Sequence, residues 1–312
     1  MRILVSGASG LIGRALIPYL TSCGHDIGRL VRTPAKAGSG EIPWNPSAGI
    51  LEASSVEGFD AVAHLAGENI AGGRWTATRK RQILESRSKG TRLLAETLSR
   101  LAQPPKVLVS ASAIGFYGER GEEILREDDK PGKGFLPEVC VAWEEATHAA
   151  SEKRIRVVTP RIGIVLSTAG GALAQMLFPF RIGVGGKIGN GRQFMSWITL
   201  DDLVGVIYHA IQTDSLAGPV NAVAPRPVTN LEFTKTLGRV LSRPAVFPLP
   251  SFAARLLLGE MADELLLAST RVEPAKLLAT GYLFQHSDLE TALRHVLGQR
   301  LGNRGWGGAD RD

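Results

Sequence analysis

The chain has 312 residues, a length that fits one large domain or one domain with a smaller lobe. Hydrophobic residues make up 44% and charged residues 21%, which excludes wholesale disorder. Two cysteines, Cys23 and Cys140, cannot form a disulfide framework, and this favours a reducing, cytoplasmic compartment. The net charge of +6 fits nucleic acid, a membrane surface or a small anionic ligand, and composition leaves these three open.

The first twenty residues superficially resemble a signal peptide, because Arg2 precedes an apolar run. Glycines and Arg14 interrupt that run, and no small-residue cleavage site follows, so we predict no signal peptide. No stretch reaches the ~18–20 apolar residues of a membrane span. The most apolar later segment, 252–268, carries charges at helical spacing and predicts a core-facing helix, so no membrane partner is expected.

Short apolar runs and amphipathic segments alternate through the first half of the chain. Strands are predicted at 3–5, 27–31, 60–67, 107–110 and 155–161. Helices are predicted at 11–20, 76–101 and 141–151. This alternation predicts an α/β fold with a Rossmann-type, doubly wound parallel sheet.

The pattern changes after about residue 170. Helices are predicted at 171–180, 203–212, 231–241, 256–268, 275–278 and 289–297, with a short strand at 221–223. We predict a dinucleotide-binding domain over 1–170, to which some later segments return, a smaller mixed lobe with a C-terminal helical domain over 171–302, and a flexible tail over 303–312. Asp201 and Asp202 are predicted to cap the helix that starts at 203.

A glycine-rich loop lies between the first predicted strand and the first helix. Gly7, Gly10 and Gly13 have the GxxGxxG spacing typical of short-chain dehydrogenase/reductases. The first glycine permits a tight turn, the second lets backbone approach a pyrophosphate, and the third lets the helix pack on the sheet. The helix N-terminus adds free N–H groups and a positive dipole for phosphates. The loop therefore predicts a bound dinucleotide.

The end of the second predicted strand indicates which dinucleotide is bound. An NAD site usually has Asp or Glu there to hold the ribose 2′-hydroxyl, but here the strand ends with Arg32 and Thr33, and the next acidic residue is Glu41. An arginine can pair bidentately with a 2′-phosphate. We therefore predict NADP(H), with Arg32 as the phosphate contact, Arg29 as the competing contact and NAD(H) as the alternative cofactor.

The catalytic dyad of hydride-transferring members of this superfamily, Tyr and Lys four residues apart, is missing. The residues four after Tyr19, Tyr117, Tyr208 and Tyr282 are Cys23, Gly121, Gln212 and His286. Cys140 or Val141 occupies the approximate lysine position. Without a lysine, another positive charge would have to lower the tyrosine pKa.

Other residues near the expected dyad carry usable chemistry. Ser112 is a hydroxyl donor for a substrate carbonyl or alkoxide, and Tyr117 is a possible acid, so both are candidate catalytic residues. Glu138, Glu144 and Glu145 are alternative bases. Structural alternatives stay open for several residues of this region: Ser112 as a cofactor-loop residue, Tyr117 in packing, Trp143 in the core, Glu144 on the helix surface or in an ion pair, and Cys140 as a small buried hydrophobe.

Together these residues resemble an atypical, epimerase-like family of extended short-chain dehydrogenase/reductases that has its own C-terminal domain of unknown function. The resemblance rests on the segments 7–13, 64–70, 74–76, 86–87, 110–118, 140–144, 160–166, 176–203 and 258–274. It covers nearly the whole chain. It implies a Rossmann fold with a C-terminal substrate lobe, and it implies no known substrate because the family is named for its fold.

The resemblance also implies that 65–67 line the cofactor and that 110–112 lie by the nicotinamide. Arg87 stands where extended members commonly have Asn, which makes it a phosphate or substrate contact or a solvated helix residue. Gly90, in the same helix, is expected to allow close packing on the sheet. The predicted cofactor-binding residues are Gly7, Ser9, Gly10, Leu11, Ile12, Gly13, Arg32, Leu65, Ala66, Gly67, Glu68, Arg87, Ser110, Ala111 and Arg161.

Two functional hypotheses follow. The first is an NADP(H)-dependent oxidoreductase or epimerase acting on a small polar or anionic substrate, and the second is a non-catalytic NADP(H)-binding sensor or partner-binding protein. His64 is expected to be a buried core histidine and no metal site is predicted. No stacked-aromatic module or helix-turn-helix pattern supports nucleic-acid binding. The chain is expected to be a monomer or homodimer.

Overall fold

The computed structural model describes residues 1–34 and 38–299, so the predicted tail at 303–312 lies outside the described residues. The strands are β1 (Arg2–Ser6), β2 (Asp26–Val31), β3 (Glu41–Asn45), β4 (Ile50–Leu51), β5 (Ala61–His64), β6 (Val107–Ser110), β7 (Ser112–Ala113), β8 (Ile124–Leu125), β9 (Arg156–Ile162), β10 (Ile164–Leu166), β11 (Phe194–Met195), β12 (Trp197–Thr199), β13 (Gly218–Ala222), β14 (Val228–Thr229) and β15 (Arg271–Val272).

The helices are α1 (Leu11–Ser22), α2 (Ala77–Ser99), α3 (Phe135–Glu145), α4 (His148–Glu152), α5 (Gly171–Arg181), α6 (Leu200–Gln212), α7 (Asn230–Leu241), α8 (Ser251–Leu258), α9 (Glu260–Ala262), α10 (Ala275–Ala279) and α11 (Leu289–Val296). Short 3-10 turns lie at Ala53–Val56 and Ile114–Tyr117, and a π-helical turn lies at Asp263–Leu267. Among the described residues, none of these helices is both long and apolar enough to traverse a bilayer.

The main sheet has the strand order β13-β9-β6-β5-β1-β2-β3-β4, and β7 extends it beside β9. All its pairings are parallel except β3 with β4. The order reverses between β1 and β5, so this is the switch point where a doubly wound sheet opens a crevice at its carboxyl edge. The predicted α/β, Rossmann-type sheet is confirmed, and β13 joins it from beyond residue 170.

Both faces of the sheet are covered. Ile3 and Val5 face one core, which contains α1 and α6, whereas Leu4 faces the other, which contains α2. Alternate side chains of a strand point to opposite faces, so strands buried on both sides read as continuous apolar runs. The sheet therefore holds the carboxyl ends of its strands rigidly at one edge.

A smaller mixed lobe has its own apolar core. Helices α5, α7 and α11 pack around Trp197 and Phe233, which are almost fully buried. The two-stranded pairs β10-β12 and β11-β14 contribute to the same lobe. The predicted smaller lobe is thus present.

The C-terminal segment is joined to the first half of the chain at the start of α3. The Glu264 carboxylate accepts hydrogen bonds from the backbone N–H groups of Phe135 and Leu136, at 2.8 and 2.7 Å. It thus caps α3, whose N-cap residue Gly134 has no side chain and a φ of 123°. Strand β15 also pairs with β8.

Three predicted elements differ from the structure. Helix α3 begins six residues before the predicted start, because Pro137 lies in the first turn, where its missing N–H costs no helical hydrogen bond. The predicted helix 256–268 is broken at Gly259, which has a positive φ of 63°. The cap of α6 is Thr199, which accepts a hydrogen bond from the Asp202 N–H, so Asp201 and Asp202 lie inside the first turn.

The expectation that 252–268 faces the core is also wrong for its first part. Phe252, Leu256 and Leu257 are 71%, 73% and 62% exposed. The broken helix is the physical reason, since α8 ends before a continuous apolar stripe can form. Only Ala254 of α8 is buried.

Candidate functional site

The switch-point crevice is built on a hydrogen-bonded chain that joins β1, β5 and α2. Ser6 Oγ accepts backbone N–H groups from Leu65 and Ala66, at 3.1 and 3.3 Å, and so donates its own proton to His64 Nδ1, at 2.6 Å. His64 Nε2 therefore carries a proton, which it donates to Thr91 Oγ1 at 2.9 Å. These bonds hold the 65–66 segment beside the glycine-rich loop.

His64 is fully buried, as expected for a core histidine. Burial lowers its pKa to about 4, because the charged imidazolium would lose its hydration. The residue is therefore neutral near pH 7, with both ring nitrogens bonded inside the protein. It positions the crevice wall and is not available as a general base.

The glycine-rich loop has the close approaches that its spacing predicts. A Cβ at Gly13 would lie 2.4 Å from the Gly7 carbonyl oxygen, and a Cβ at Gly7 would lie 2.7 Å from the Leu65 carbonyl carbon. Gly7 also has a positive φ of 71°. The loop is therefore folded tightly between α1 and the segment after β5, where any side chain at these two positions would clash with backbone.

The N-terminus of α1 fits a pyrophosphate. Its N-cap, Gly10, makes no side-chain capping bond, and the first turn contains no acidic residue. The first N–H groups of a helix have no partner within the helix, so those of Leu11 and Ile12 are oriented to donate to phosphate oxygens. Ser9 and Gly10 are exposed in front of them.

The two arginines considered for the 2′-phosphate occupy different places. Arg32 is exposed and directly follows β2, at the carboxyl edge beside β1. Arg29 lies within β2, where its guanidinium donates to the Ser39 carbonyl at 2.9 Å and pairs with Glu41 at 3.5 Å. Arg32 is thus the arginine at the ligand edge, and Arg29 fastens β2 to the start of β3.

The other wall of the crevice, residues 65–68, is tied to α2. Arg87 donates to the Glu68 carbonyl at 3.0 Å and stacks over the Trp143 ring at 4.9 Å. Arg79 pairs with the Glu68 carboxylate at 3.0 Å, and Ser86 Oγ accepts the Glu68 N–H at 3.1 Å. Arg87 and Glu68 therefore shape the wall, with the exposed Gly67 between Arg87 and the crevice.

A buried polar trio lies at the carboxyl ends of β7 and β9. Ser112 Oγ donates to Glu144 Oε1 at 2.7 Å. Arg161 donates to both carboxylate oxygens of Glu144, through Nε and Nη2 at 2.9 Å each. Arg161 is 4% exposed and Glu144 16%. The bidentate pair fixes the carboxylate, and the Ser112 lone pairs remain able to accept a proton.

Tyr117 lies behind this trio. It is fully buried, and its hydroxyl lies 2.7 Å from Asn221 Oδ1 and 2.9 Å from the Arg126 carbonyl oxygen, while it accepts from Arg161 Nη1 at 2.9 Å. Burial raises its pKa to about 12, although the Arg161 charge opposes the shift. The hydroxyl is thus committed to interior partners, and the phenol stays protonated.

Cys140 cannot replace the missing lysine, because a cysteine side chain is either a neutral thiol or a negatively charged thiolate and carries no positive charge. Its thiol is buried under the Ala113 carbonyl, 3.6 Å away, and burial raises its pKa to about 12. Two other buried polar atoms of this region, Ser110 Oγ and Trp143 Nε1, have no hydrogen-bond partner among residues 1–34 and 38–299. Ala111 is buried between Ser110 and Ser112, so the whole 110–112 turn lies below the surface.

A separate groove of about 420 Å³ runs beside the edge strand β13. Glu144 is one of its lining residues. Ile155, Arg156 and Val157 also line the groove, so it runs along the amino-terminal half of β9. The glycine-rich loop and the 65–68 wall lie at the opposite, carboxyl edge of the sheet. The groove is therefore not the dinucleotide crevice.

Three residues of this site escaped the sequence analysis. Asn221 and Glu127 are buried, and Glu127 Oε1 accepts the Asn221 N–H at 3.1 Å. Thr91 bonds to His64 from α2. Their partners lie far away along the chain. Asn221 offers a sequence signal, as a polar residue inside an apolar segment, whereas Glu127 and Thr91 lie in polar segments and offer none.

A doubly wound sheet with an uncapped, glycine-lined helix start at its switch point defines a dinucleotide-binding protein of the extended short-chain dehydrogenase/reductase class. The model of the NAD dependent epimerase/dehydratase family matches residues 3–222, and the model of a domain of unknown function, DUF1731, matches residues 249–296. The chain belongs to the NAD dependent epimerase/dehydratase family, as the resemblance of its motifs indicated.

Two relatives match the chain along nearly its whole length. The Epimerase family protein Mb2239 of Mycobacterium bovis is 42% identical over 294 residues, which cover 94% of this chain and 97% of that protein. The human Epimerase family protein SDR39U1 is 38% identical over 301 residues, which cover 95% of this chain and 100% of that protein.

Two solved structures are closely similar. The crystal structure of human epimerase family protein SDR39U1 with NADPH has a TM-score of 0.87 and 36% identity, and the match covers 96% of this chain and 99% of that one. The nucleoside-diphosphate sugar epimerase from Corynebacterium glutamicum has a TM-score of 0.81 and 37% identity. That match covers 97% of this chain and 59% of the other chain.

Proposed function

We propose that this chain is an NADP(H)-dependent oxidoreductase or epimerase that acts on a small polar or anionic substrate. The observation that carries the proposal is the fixed Ser112–Glu144–Arg161 trio at the carboxyl edge of the sheet, where ligands of open α/β sheets bind. The trio supplies a proton-exchanging hydroxyl in a site that lacks the usual dyad.

NADP(H) is the proposed cofactor. The free N-terminus of α1 and the tight Gly7–Gly13 approach suit the pyrophosphate, and the exposed Arg32 suits a 2′-phosphate. The NADPH in the human relative's crystal structure supports this choice. NAD(H) remains the alternative cofactor.

The cofactor preference is tested at Arg32. Replacing Arg32 with Ala should weaken NADPH binding by about ten- to a hundredfold, because a charge-assisted pair is worth roughly 1.5–3 kcal/mol, and should leave NADH binding unchanged. Fluorescence titration of both nucleotides measures the two constants. Arg29→Ala is the matched control, since Arg29 is bonded to Ser39 and Glu41. Equal losses for NADH and NADPH would contradict the assignment.

The trio has a defined role in proton transfer. When bound, NADP(H) would supply the hydride donor or acceptor for a substrate carbon. Ser112 accepts the proton of the substrate hydroxyl during oxidation and passes its own proton to the Glu144 carboxylate, which lies 2.7 Å away. Arg161 holds both oxygens of that carboxylate in place. The reverse transfers deliver a proton to a carbonyl oxygen during reduction.

Turnover is tested with a panel of carbonyl compounds and sugar nucleotides, by following NADPH absorbance at 340 nm. For any substrate found, Ser112→Ala should lower kcat by ~10²–10⁴-fold, the usual contribution of a positioned proton-transfer group, with little change in NADPH affinity. Ser99→Ala is the control, because the Ser99 hydroxyl donates to the Glu96 carbonyl within α2 and lies outside the trio. Unchanged kcat in Ser112→Ala would remove the trio from the chemistry.

A second candidate function is non-catalytic NADP(H) binding in a sensor or partner-binding protein. The observation that favours it is the burial of the proton-exchanging groups, since Ser112 is only 2% exposed and the Cys140 thiol stays neutral. This function predicts stoichiometric NADPH binding without any absorbance change across the panel. Saturable turnover of any substrate would exclude it.

The remaining organisation is part of the proposal. Residues 1–170, with the later strand β13, would form the dinucleotide-binding unit, and 171–302 the substrate lobe. The free thiols of Cys23 and Cys140 support a reducing, cytoplasmic location. We expect a monomer or homodimer, which size-exclusion chromatography with light scattering would distinguish.

A further inference from the structure

Three potential metal ligands converge on the side of the molecule where the C-terminal segment meets α6. Asp201, in the first turn of α6, lies with its Oδ2 atom 2.7 Å from His295 Nε2. The rings of His286 and His295 are stacked, with centroids 4.2 Å apart and an interplanar angle of 26°. One ligand atom from each of the three side chains lies within 4.8 Å of the other two.

The backbone under these side chains is fixed. Asp202, which is fully buried, accepts the N–H groups of Gln285 and His286 at 2.8 and 3.0 Å, and this holds the loop carrying His286 against α6. His295 belongs to α11, whose N-cap Asp288 accepts the Thr291 N–H at 3.1 Å. Backbone hydrogen bonds of the fold therefore hold the segments that carry the three side chains close together.

We propose that Asp201, His286 and His295 bind one divalent transition-metal ion, with Zn²⁺ as the reference ion. Two imidazoles and one carboxylate form a donor set that Zn²⁺ and its neighbours in the first row prefer, whereas Ca²⁺ and Mg²⁺ prefer oxygen ligands alone. Tetrahedral bonds of about 2.0–2.1 Å place donor atoms about 3.3 Å apart, so small side-chain rotations complete the site. Asp201 and His295 are 55% and 49% exposed, which leaves a coordination position open to water.

The proposed ion would join the two family-matched parts of the chain. Asp201 lies in the segment matched by the epimerase family model, and both histidines lie in the segment matched as a domain of unknown function. An ion that binds only the folded arrangement stabilises it by mass action. Metal binding at this position would fasten the C-terminal segment to α6.

The test uses tag-free, full-length protein stripped of metal with a chelator. Zn²⁺ is titrated in competition with a chromogenic chelator, and Co²⁺ is titrated with visible absorption as the readout. We expect one ion per chain, an increase in Tm with Zn²⁺, and Co²⁺ d–d bands of a low-coordinate nitrogen and oxygen site. His286→Gln, His295→Gln and Asp201→Asn should each weaken Zn²⁺ binding by at least about tenfold.

Matched controls separate this site from other surface donors. His148→Gln removes an exposed histidine that also pairs with a carboxylate, Glu152, at 3.2 Å, and should leave Zn²⁺ binding unchanged. Cys23→Ser removes an exposed thiol and should also have no effect. Loss of binding in Cys23→Ser, retention in the ligand variants, or no saturable binding by the unmodified protein would each overturn the proposal. The Co²⁺ spectrum needs no variant and stays informative if a substitution impairs folding.

Discussion

Tyr117 was predicted from the sequence as a catalytic acid, but in the structure its surroundings are those of a structural residue. Its position after Ser112 suggested an acid, but its hydroxyl is surrounded by Asn221, the Arg126 carbonyl and Arg161. The phenol ring also packs against Phe116, with ring centroids 5.3 Å apart. We infer that Tyr117 supports Arg161, which in turn orients Glu144.

Replacing Tyr117 with Phe tests this role. The change leaves Asn221 and one Arg161 donor without their buried partner, so the free energy of unfolding should fall by roughly 1–3 kcal/mol. Urea denaturation followed by tryptophan fluorescence measures the change. A variant with unaltered stability and no turnover would instead place the hydroxyl on the substrate.

Arg161 shows why the site could not be assembled from residue types alone. Its position at the end of a predicted strand indicated a cofactor contact, which remains a prediction. In the structure its guanidinium donates hydrogen bonds to the Glu144 carboxylate, the Tyr117 hydroxyl and the Glu127 carbonyl. These partners come from α3, the turn after β7 and a loop, and only the tertiary packing brings them together.

At the scale of elements, two glycines that looked alike in sequence have opposite surroundings. Gly13 is pressed against the Gly7 carbonyl, whereas a Cβ at Gly90 would have its nearest neighbours, Trp44 and Pro46, at an ordinary contact distance of 3.7 Å. The expectation that Gly90 is needed for close packing is therefore wrong. Helix α2 has room for a methyl group there.

Gly90→Ala should raise the free energy of unfolding by up to about 1 kcal/mol, because alanine favours a helix interior more than glycine does. Thermal and urea denaturation measure this gain, and NADPH affinity should not change. A destabilised Gly90→Ala variant would mean that α2 lies closer to Trp44 than the structure shows.

Gly13→Ala should have the opposite effect, because its methyl group would lie 2.4 Å from a backbone oxygen and force the loop to move. We expect lower stability, by the roughly 1–3 kcal/mol typical of overpacking, and loss of measurable NADPH binding. Isothermal titration calorimetry and urea denaturation test both effects. Normal NADPH affinity in Gly13→Ala would exclude the loop as the pyrophosphate site.

At the scale of the whole molecule, the buried side chain of His64 makes the free energy of unfolding depend on pH. The pKa of His64 is about 4 in the folded protein and about 6.5 in the unfolded chain, so the unfolded chain binds the proton more readily between these values. The His64 contribution to stability is complete above pH 6.5 and declines as the pH falls towards 4. The total loss is roughly 3 kcal/mol for 2.5 pKa units.

Urea denaturation between pH 7.5 and 4 tests this linkage. The unmodified protein should lose stability most steeply between about pH 6.5 and 4, and His64→Gln should show a shallower dependence from a lower starting stability. His148→Gln is the control, because His148 is exposed on α4. Equal pH slopes in the unmodified protein and His64→Gln would show that other groups dominate.

Local patterns were enough to predict most of the fold. Apolar strand runs, the glycine spacing and the amphipathic helices depend on neighbours within a few residues, so α1, α2 and the central strands β1, β2, β5, β6 and β9 were predicted from the sequence. The short strands β3, β4 and β7 were not predicted. The start of α3 was missed because its cap, Glu264, comes from a distant segment. The break at Gly259 was missed because a single glycine inside an apolar helical pattern is tolerated in many helices.

The candidate site was predictable only where one segment defines it. The loop at Gly7–Gly13 and the Arg32 position belong to a single strand–loop–helix unit, whereas the contacts of Glu144 with Ser112 and Arg161 join three elements. Residue type alone made Glu138, Glu144 and Glu145 equal candidates as bases. The structure distinguishes Glu144, whose Oε1 atom lies 2.7 Å from Ser112 Oγ. The Asp201–His286–His295 cluster had no sequence signature, because two of its ligands lie more than 80 positions from the third.

The Glu264 cap on α3 has a consequence for how the protein is made. Helix α3, which carries Glu144, leaves the ribosome long before Glu264 has been synthesised. Until then the first N–H groups of α3 lack the Glu264 carboxylate as an acceptor, so the helix is less stable. Glu144, near the other end of α3, is then held less firmly. The nascent chain can therefore complete its glycine-rich loop early, but it acquires the Ser112–Glu144–Arg161 geometry only when the C-terminal segment docks.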